Sequence, residues 1–169
     1  MPNTQMIMYE EEYQKISMIL NELCSAASSK ACYLVDQNGQ LIAQAGQTQN
    51  IDATSLASLT AGSIAATSGL AKLLGEEHFS VLFHEGKDQH IHLTSVGGQI
   101  ILVVIFDQRS TIGLVRLRVK KYSEQLAQVF HILEEKASTS SHSSTFREIT
   151  DDDIDSLFQE DLDQLFRES

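Results

Sequence analysis

A chain of 169 residues, 42% of them apolar, has room for one domain with a real core plus an appendage. Its net charge of −11 argues against a general nucleic-acid binder, which needs clustered cations to replace counterions. The longest apolar run, residues 100–106, falls far short of the about 20 residues that a membrane-spanning helix requires.

The chain begins MPNTQMIMYEEE, with neither the basic start nor the apolar core of a signal peptide, so a cytoplasmic placement is expected. Cys24 and Cys32 lack metal-type spacing and read as small apolar residues in a reducing compartment, not as a disulfide framework. Tyr9, Tyr13, Ile16, Leu20, Leu23 and Ala27 share one helical face, which predicts a first helix over about 8–28. Glu10, Glu11 and Glu12 stand in its first turn, where the helix dipole favours acids. ACYLVD (31–36) and residues 40–45 then read as two strands joined through Asn38-Gly39, the favoured chemistry for a tight hairpin turn.

The stretch DATSLASLTAGSIAATSGLAKLLG (52–75) predicts a long helix, with Asp52 as its N-cap and Gly75 as its stop. Leu56, Leu59, Ala66, Leu70 and Leu73 form an apolar stripe. Ser58, Ala61, Gly62, Ala65 and Gly69 form a second stripe of small residues, and Lys72 supplies the only charge after the cap. Each internal glycine costs about 1 kcal/mol relative to Ala, which calls for a close approach to the backbone. Two readings account for it: the small face packs on its own sheet, or it meets a second chain.

Three strands follow, over 79–85, 89–96 and 99–106, with turns at Gly86-Lys87-Asp88 and Gly97-Gly98. The run IILVVIF shows no polar alternation, so both of its faces are expected to be covered, with the first strand, also mostly apolar, as a neighbour. A last helix starts near Thr111 and buries Val115, Val119, Tyr122, Leu126, Val129 and Leu133. The order α-β-β-α-β-β-β-α predicts a three-layer α+β fold: a largely antiparallel five-stranded sheet with helices on both faces. Residues 1–136 form this domain, 137–149 read as a flexible Ser/Thr-rich linker, and 150–169 as an acidic amphipathic C-terminal helix. In that helix Ile154, Leu157, Phe158, Leu162, Leu165 and Phe166 share one face, to fold back on the domain or to dock on a partner.

No Gly-rich loop ends in Gly-Lys-Ser/Thr, and no nucleophile–base pair stands out, so the chain is not expected to be an enzyme or to carry a cofactor. His84, His90 and His92 come together if the 86–88 turn pairs their strands; a metal site and a solvated sheet face are both open readings. Arg109, Arg116, Arg118, Lys120 and Lys121 crowd one region, either as a solvated helix face or as a footprint for an acidic partner or the chain's own acidic tail. Lys15, Lys72 and Lys121 are candidates for the same use.

The segments MYEEEYQKI (8–16), LVDQNGQLIAQAGQTQNID (34–52), TSLASLTAG (54–62), GLAKLLGE (69–76), LVVIFDQRSTIGLVRLRVKK (102–121) and ITDDDIDSLF (149–158) together resemble the roadblock (dynein light chain) family. The likeness is to its bacterial members that regulate a small Ras-like GTPase. It implies a homodimer, paired through the long second helix and the adjacent edge strand. The helix pair, here Ser58, Ala61, Gly62, Ala65, Gly69 and Lys72, would then dock the GTPase in its GTP state, with Lys15, Arg116 and Lys121 as electrostatic contacts. The implied activity is GTPase activation by reshaping the switch region, without an arginine finger; Arg109 is the one loop arginine in a position to be such a finger. The implied setting is cell polarity and motility, at a cell pole. The C-terminal helix, through Ile154, Leu157, Phe158, Leu162 and Leu165, is implied to reach a second site on the GTPase. A non-catalytic scaffold and an exchange-promoting module use the same platform and remain alternatives.

Overall fold

Strand alternation sorts the apolar residues onto two faces of one sheet, and the helices cover both. The structure is a computed structural model that describes residues 10–143. Its elements are α1 (Glu10–Ala26), β1 (Ala31–Asp36), β2 (Leu41–Gly46), α2 (Ala53–Leu73), β3 (Val81–Glu85), β4 (Gln89–Val96), β5 (Ile100–Asp107) and α3 (Ile112–Ser143). The order is the one the sequence predicts. The expected helix start at residues 8 and 9 and the whole C-terminal helix, with Ile154, Leu157, Phe158, Leu162, Leu165 and Phe166, lie outside the described residues. The chain divides into two compact units, Met1–Glu135 and Lys136–Ser169. The sheet, α1, α2 and α3 as far as Glu135 belong to the first.

The sheet runs β2-β1-β5-β4-β3, and every neighbouring pair is antiparallel. The run IILVVIF in β5 is buried throughout, between β1 and β4. Cys32, Leu34, Leu102, Val104 and Phe106 pack with Ile16, Leu20 and Leu23 of α1 and with Val115, Val119 and Leu126 of α3. On the opposite face Tyr33, Val35, Leu93, Ile101, Val103 and Ile105 pack beneath Ala57 of α2. Each large side chain so buried contributes about 1.5–3 kcal/mol, and the two-sided cover explains why β5 carries no polar residue before Asp107.

Four local features depart from the sequence reading. Tyr13 is exposed, whereas Glu12 is buried in the first turn of α1. The β1–β2 connection is longer than a two-residue turn. Asp36 Oδ1 accepts from the Asn38 and Gln40 amides at 3.0 and 2.8 Å, Gly39 takes a φ of +83°, and the register shifts between Leu34 and Val35. A Cβ on Gly39 would lie 3.1 Å from the Ser58 Cα, so glycine also lets this turn seat against α2. β3 begins at Val81, two residues later than expected, and sits at the sheet edge with mostly exposed side chains. Finally, α3 does not stop at Lys136. It continues through 137–143, where the sequence suggests a flexible linker. Thr139 Oγ1 and Ser140 Oγ donate to the carbonyls of Lys136 and Ala137, both at 3.1 Å, so the hydroxyls bond within the helix.

The ends of α2 are as predicted. Asp52 caps it, its carboxylate accepting from the Ser55 amide and hydroxyl at 3.4 and 2.7 Å. At the far end the Gly75 amide donates to Lys72 O and the Glu76 amide to Ala71 O, with Gly75 at φ +77°, a Schellman stop.

Candidate functional site

α2 is apolar on both of its long sides, and only one of them has a partner among the described residues. Ala57, Thr60 and Ala71 are buried against the sheet, with Ala53, Leu56 and Ile64 packed beside them. The leucine stripe expected from spacing therefore does not face the core: of it only Leu56 is packed, while Leu59 is 74% and Leu73 is 83% exposed, and Ala66 and Leu70 are exposed too.

The small-residue stripe lies on the same outward side. Gly62, Ala65 and Gly69 are exposed, and Cβ atoms built on Gly62 and Gly69 would meet nothing described within 4 Å. Nothing described in the chain's own packing requires glycine there. Packing on the chain's own sheet, one of the two readings, fails for these three residues. Ser58 and Ala61 differ, because they lie against the Gly39 turn. Next along the chain, β3 leaves a sheet edge with no strand partner among the described residues; its exposed Val81 and Phe83 pair with Thr94 and His92 and lie on the sheet face away from α2. An apolar helix face with bare backbone at its centre is suited to docking another protein surface, and an open strand edge is a second place for one.

The cationic candidates do not converge. Lys72 is exposed on α2, whereas Lys15 on α1 and Arg116 and Lys121 on α3 belong to the layer across the sheet. The Lys121 ammonium sits 5.3 Å from the centroid of the Tyr122 ring. Arg109 is engaged by its neighbour: its Nε donates to Asp107 Oδ1 and Oδ2 at 3.0 and 3.2 Å, and its amide donates to Oδ1 at 3.0 Å. These bonds hold the Asp107 carboxyl below its ordinary range.

The histidines are split by register. Glu85 pairs with His90 and His84 with Ile91, so His84 lies on the α2 side while His90 and His92 lie on the α3 side. His92 is 1% exposed, its Nδ1 3.1 Å from Thr94 Oγ1. Burial, and then the charge of Arg116, hold its pKa at about 4. The His90 ring lies tilted against Phe106 and Phe83, at centroid distances of 5.2 and 6.1 Å. Among the described residues no three His, Cys, Asp or Glu side chains are grouped to hold a metal ion, and no helix is long and apolar enough to cross a membrane.

The model of the Roadblock/LC7 domain matches residues 15–106, which span β1–β5 and α2. The chain belongs to the roadblock/LC7 family. Among solved roadblock structures, Myxococcus xanthus MglB is 56% identical, with a TM-score of 0.72 over 75% of this chain and 96% of that one. The Thermus thermophilus gliding protein MglB is 30% identical, with a TM-score of 0.69 over 74% of this chain and 95% of that one. A further MglB, described as having a tetrameric arrangement, is 28% identical, with a TM-score of 0.71 over 76% and 97%. No curated protein sequence matches.

Sequence reasoning missed two things in this roadblock domain. It named the leucine stripe of α2 without saying which way it faces, since spacing alone does not say which apolar side meets the sheet. It also did not place Cys24 and Cys32 near each other, although both project into the cluster formed with α1 and α3. Their places, one helical step beyond Leu20 and one strand step before Leu34, carried that signal.

Proposed function

We propose that the protein is a homodimeric GTPase-activating protein for a small Ras-like GTPase of the MglA type, serving cell polarity and motility. The observation that carries the reading is the outward face of α2. It exposes Leu59, Leu70 and Leu73 around Gly62, Ala65 and Gly69, on a chain 56% identical to an MglB. Two such faces, related by a twofold axis and extended by the β3 edges, form a closed dimer and a broad helical platform. The platform, with Ser58, Ala61 and Lys72 at its margins, takes the GTPase in its GTP state. Lys15, Arg116 and Lys121, in the layer across the sheet, add longer-range steering rather than a single contact patch.

Activation proceeds without an arginine finger. Arg109 is held by Asp107 at 3.0 and 3.2 Å, and the protein acts by reshaping the switch region so that the GTPase supplies its own catalytic groups. The protein has no catalytic residue or cofactor of its own and works in the cytoplasm at a cell pole. The amphipathic segment 150–169 engages a second site on the GTPase through Ile154, Leu157, Phe158, Leu162 and Leu165.

Light scattering coupled to gel filtration tests the assembly. The full chain is expected to run as a dimer and to retain the GTPase loaded with a GTP analogue in preference to the GDP form. Gly62→Leu or Ala65→Arg abolishes dimerisation, retention or both without unfolding the protomer. A chain ending at Ser143 stays dimeric and binds the GTPase more weakly. A monomeric wild type, or equal retention of both nucleotide forms, contradicts the proposal.

A further inference from the structure

Two thiols share one core cluster where α1 ends and β1 begins. Cys24 lies in the last turns of α1 and Cys32 is the second residue of β1, and both are free and buried. The intervening turn folds back on them. Ser28 takes a φ of +49°, and the Ser29 amide and hydroxyl both donate to the Cys24 carbonyl at 3.1 Å. Ser29 then touches both sulfurs: its hydroxyl lies 3.5 Å from Cys32 Sγ, and its carbonyl oxygen lies 3.6 Å from Cys24 Sγ.

The covering over Cys24 is unusual. A Cβ on Gly46 would fall 2.7 Å from Cys24 Sγ and 2.5 Å from the Lys30 carbonyl oxygen. Gly46 is itself exposed, so bare main chain lies over the sulfur, and Cys24 keeps 8% of its surface in solvent. Cys32 is fully buried behind it.

The geometry points to a reversible modification site: Cys24 and Cys32 form an intramolecular thiol–disulfide pair that is oxidised by two electrons by hydrogen peroxide. Cys24 is the attacking sulfur. A hydrogen bond from the Cys32 thiol pulls it down to about 6, against burial and with help from Ser29, whereas Cys32 is pushed well above its ordinary value. Ionisation therefore falls on Cys24, which also keeps the exposure that Cys32 lacks, and the thiolate is the nucleophile. It attacks the O–O bond of the peroxide, forming a sulfenic acid and releasing one water once protonated. The Cys32 sulfur then attacks Cys24 Sγ, the S–O bond breaks, and the departing hydroxide takes the Cys32 proton as a second water. Two thiols become one disulfide, and one peroxide becomes two waters. The bond staples the end of α1 to β1 on the sheet face away from α2, and a dithiol reductant reverses it by exchange.

The test uses the full chain. The native protein is treated with hydrogen peroxide, then unfolded in excess alkylating agent and weighed. The expected product is a monomolecular species about 2 Da lighter than the reduced chain and closed to alkylation, from which dithiothreitol restores two alkylatable thiols. Trypsin without reductant should yield 16–30 linked to 31–72. In Cys32→Ser the resolving sulfur is gone, and Cys24 should accumulate as a sulfenic acid trapped by dimedone. Alkylation of the native protein at pH 7 should proceed at least about tenfold faster at Cys24 than at Cys32. Two freely alkylated thiols after peroxide, overoxidation of Cys24 with Cys32 untouched, or a disulfide between chains overturns the proposal. These outcomes are read on the wild type, so they stand even where Cys32→Ser does not fold.

Discussion

Replacing Gly62 and Gly69 with alanine separates a lone α2 from a shared one. In the isolated protomer each new methyl enters open space, since nothing described lies within 4 Å of the position it takes. Both sites are inside a helix, so each substitution should stabilise the protomer by about 1 kcal/mol through helix propensity alone. A second chain at backbone distance reverses the sign. A methyl forced into a filled contact costs about 1–3 kcal/mol, and a twofold axis counts every substitution twice. The double variant should therefore weaken the dimer by at least about 4 kcal/mol, roughly a thousandfold in dissociation constant. Sedimentation over a dilution series measures the association, and thermal unfolding at high and low concentration measures the protomer. The expected signature is a dimer that dissociates more readily than wild type together with a protomer that melts no lower. A double variant that is more stable at every concentration and fully dimeric would refute the reasoning, because the face would then be merely solvated.

Other outcomes follow from named contacts. Gly39→Ala should destabilise the fold by about 2 kcal/mol in denaturant titration, because the residue holds φ +83° and its Cβ would press on the Ser58 Cα at 3.1 Å. His92 is held at about 4 when folded and returns to about 6.5 when unfolded. Above pH 6.5 both states are neutral there and the residue adds no pH dependence. As pH falls from 6.5 to 4, the unfolded chain takes up a proton that the folded chain refuses, so stability drops by something of the order of 3 kcal/mol. Urea unfolding across that window should show the loss, and His92→Gln should flatten it. Arg109→Ala should retain most of the stimulation of GTP hydrolysis, whereas a fall of about a thousandfold would mark a finger.

The sequence revealed the element order because each element carries its own period and its own punctuation. Asp52 and Gly75 fix the ends of α2, and the unbroken apolar run in β5 already implies cover on both sides. What stayed hidden depends on relations between elements. α2 has leucines on one side and small apolar residues on another, so its periodicity does not choose a core face; the sheet chooses Ala57, Thr60 and Ala71 because small residues let the helix lie close. The histidine grouping failed on parity. Pairing Glu85 with His90 sets even-numbered residues of β3 across from odd-numbered residues of β4, which sends His84 to the far face. The Ser/Thr-rich run after Lys136 reads as linker by composition, yet hydroxyl bonds to carbonyls three residues back are compatible with helix through Ser143.

Single-turnover hydrolysis separates an activator from a passive binder. An MglA-type GTPase loaded with GTP is followed for one round with the full chain absent, present, and present as Ala65→Arg. The account predicts a rate that rises with added wild-type dimer, no hydrolysis by the dimer alone, and a rate near the unstimulated one with the variant. A hydrolysis rate unchanged by saturating wild-type dimer, with the GTPase demonstrably bound, would contradict it and leave a scaffold in its place.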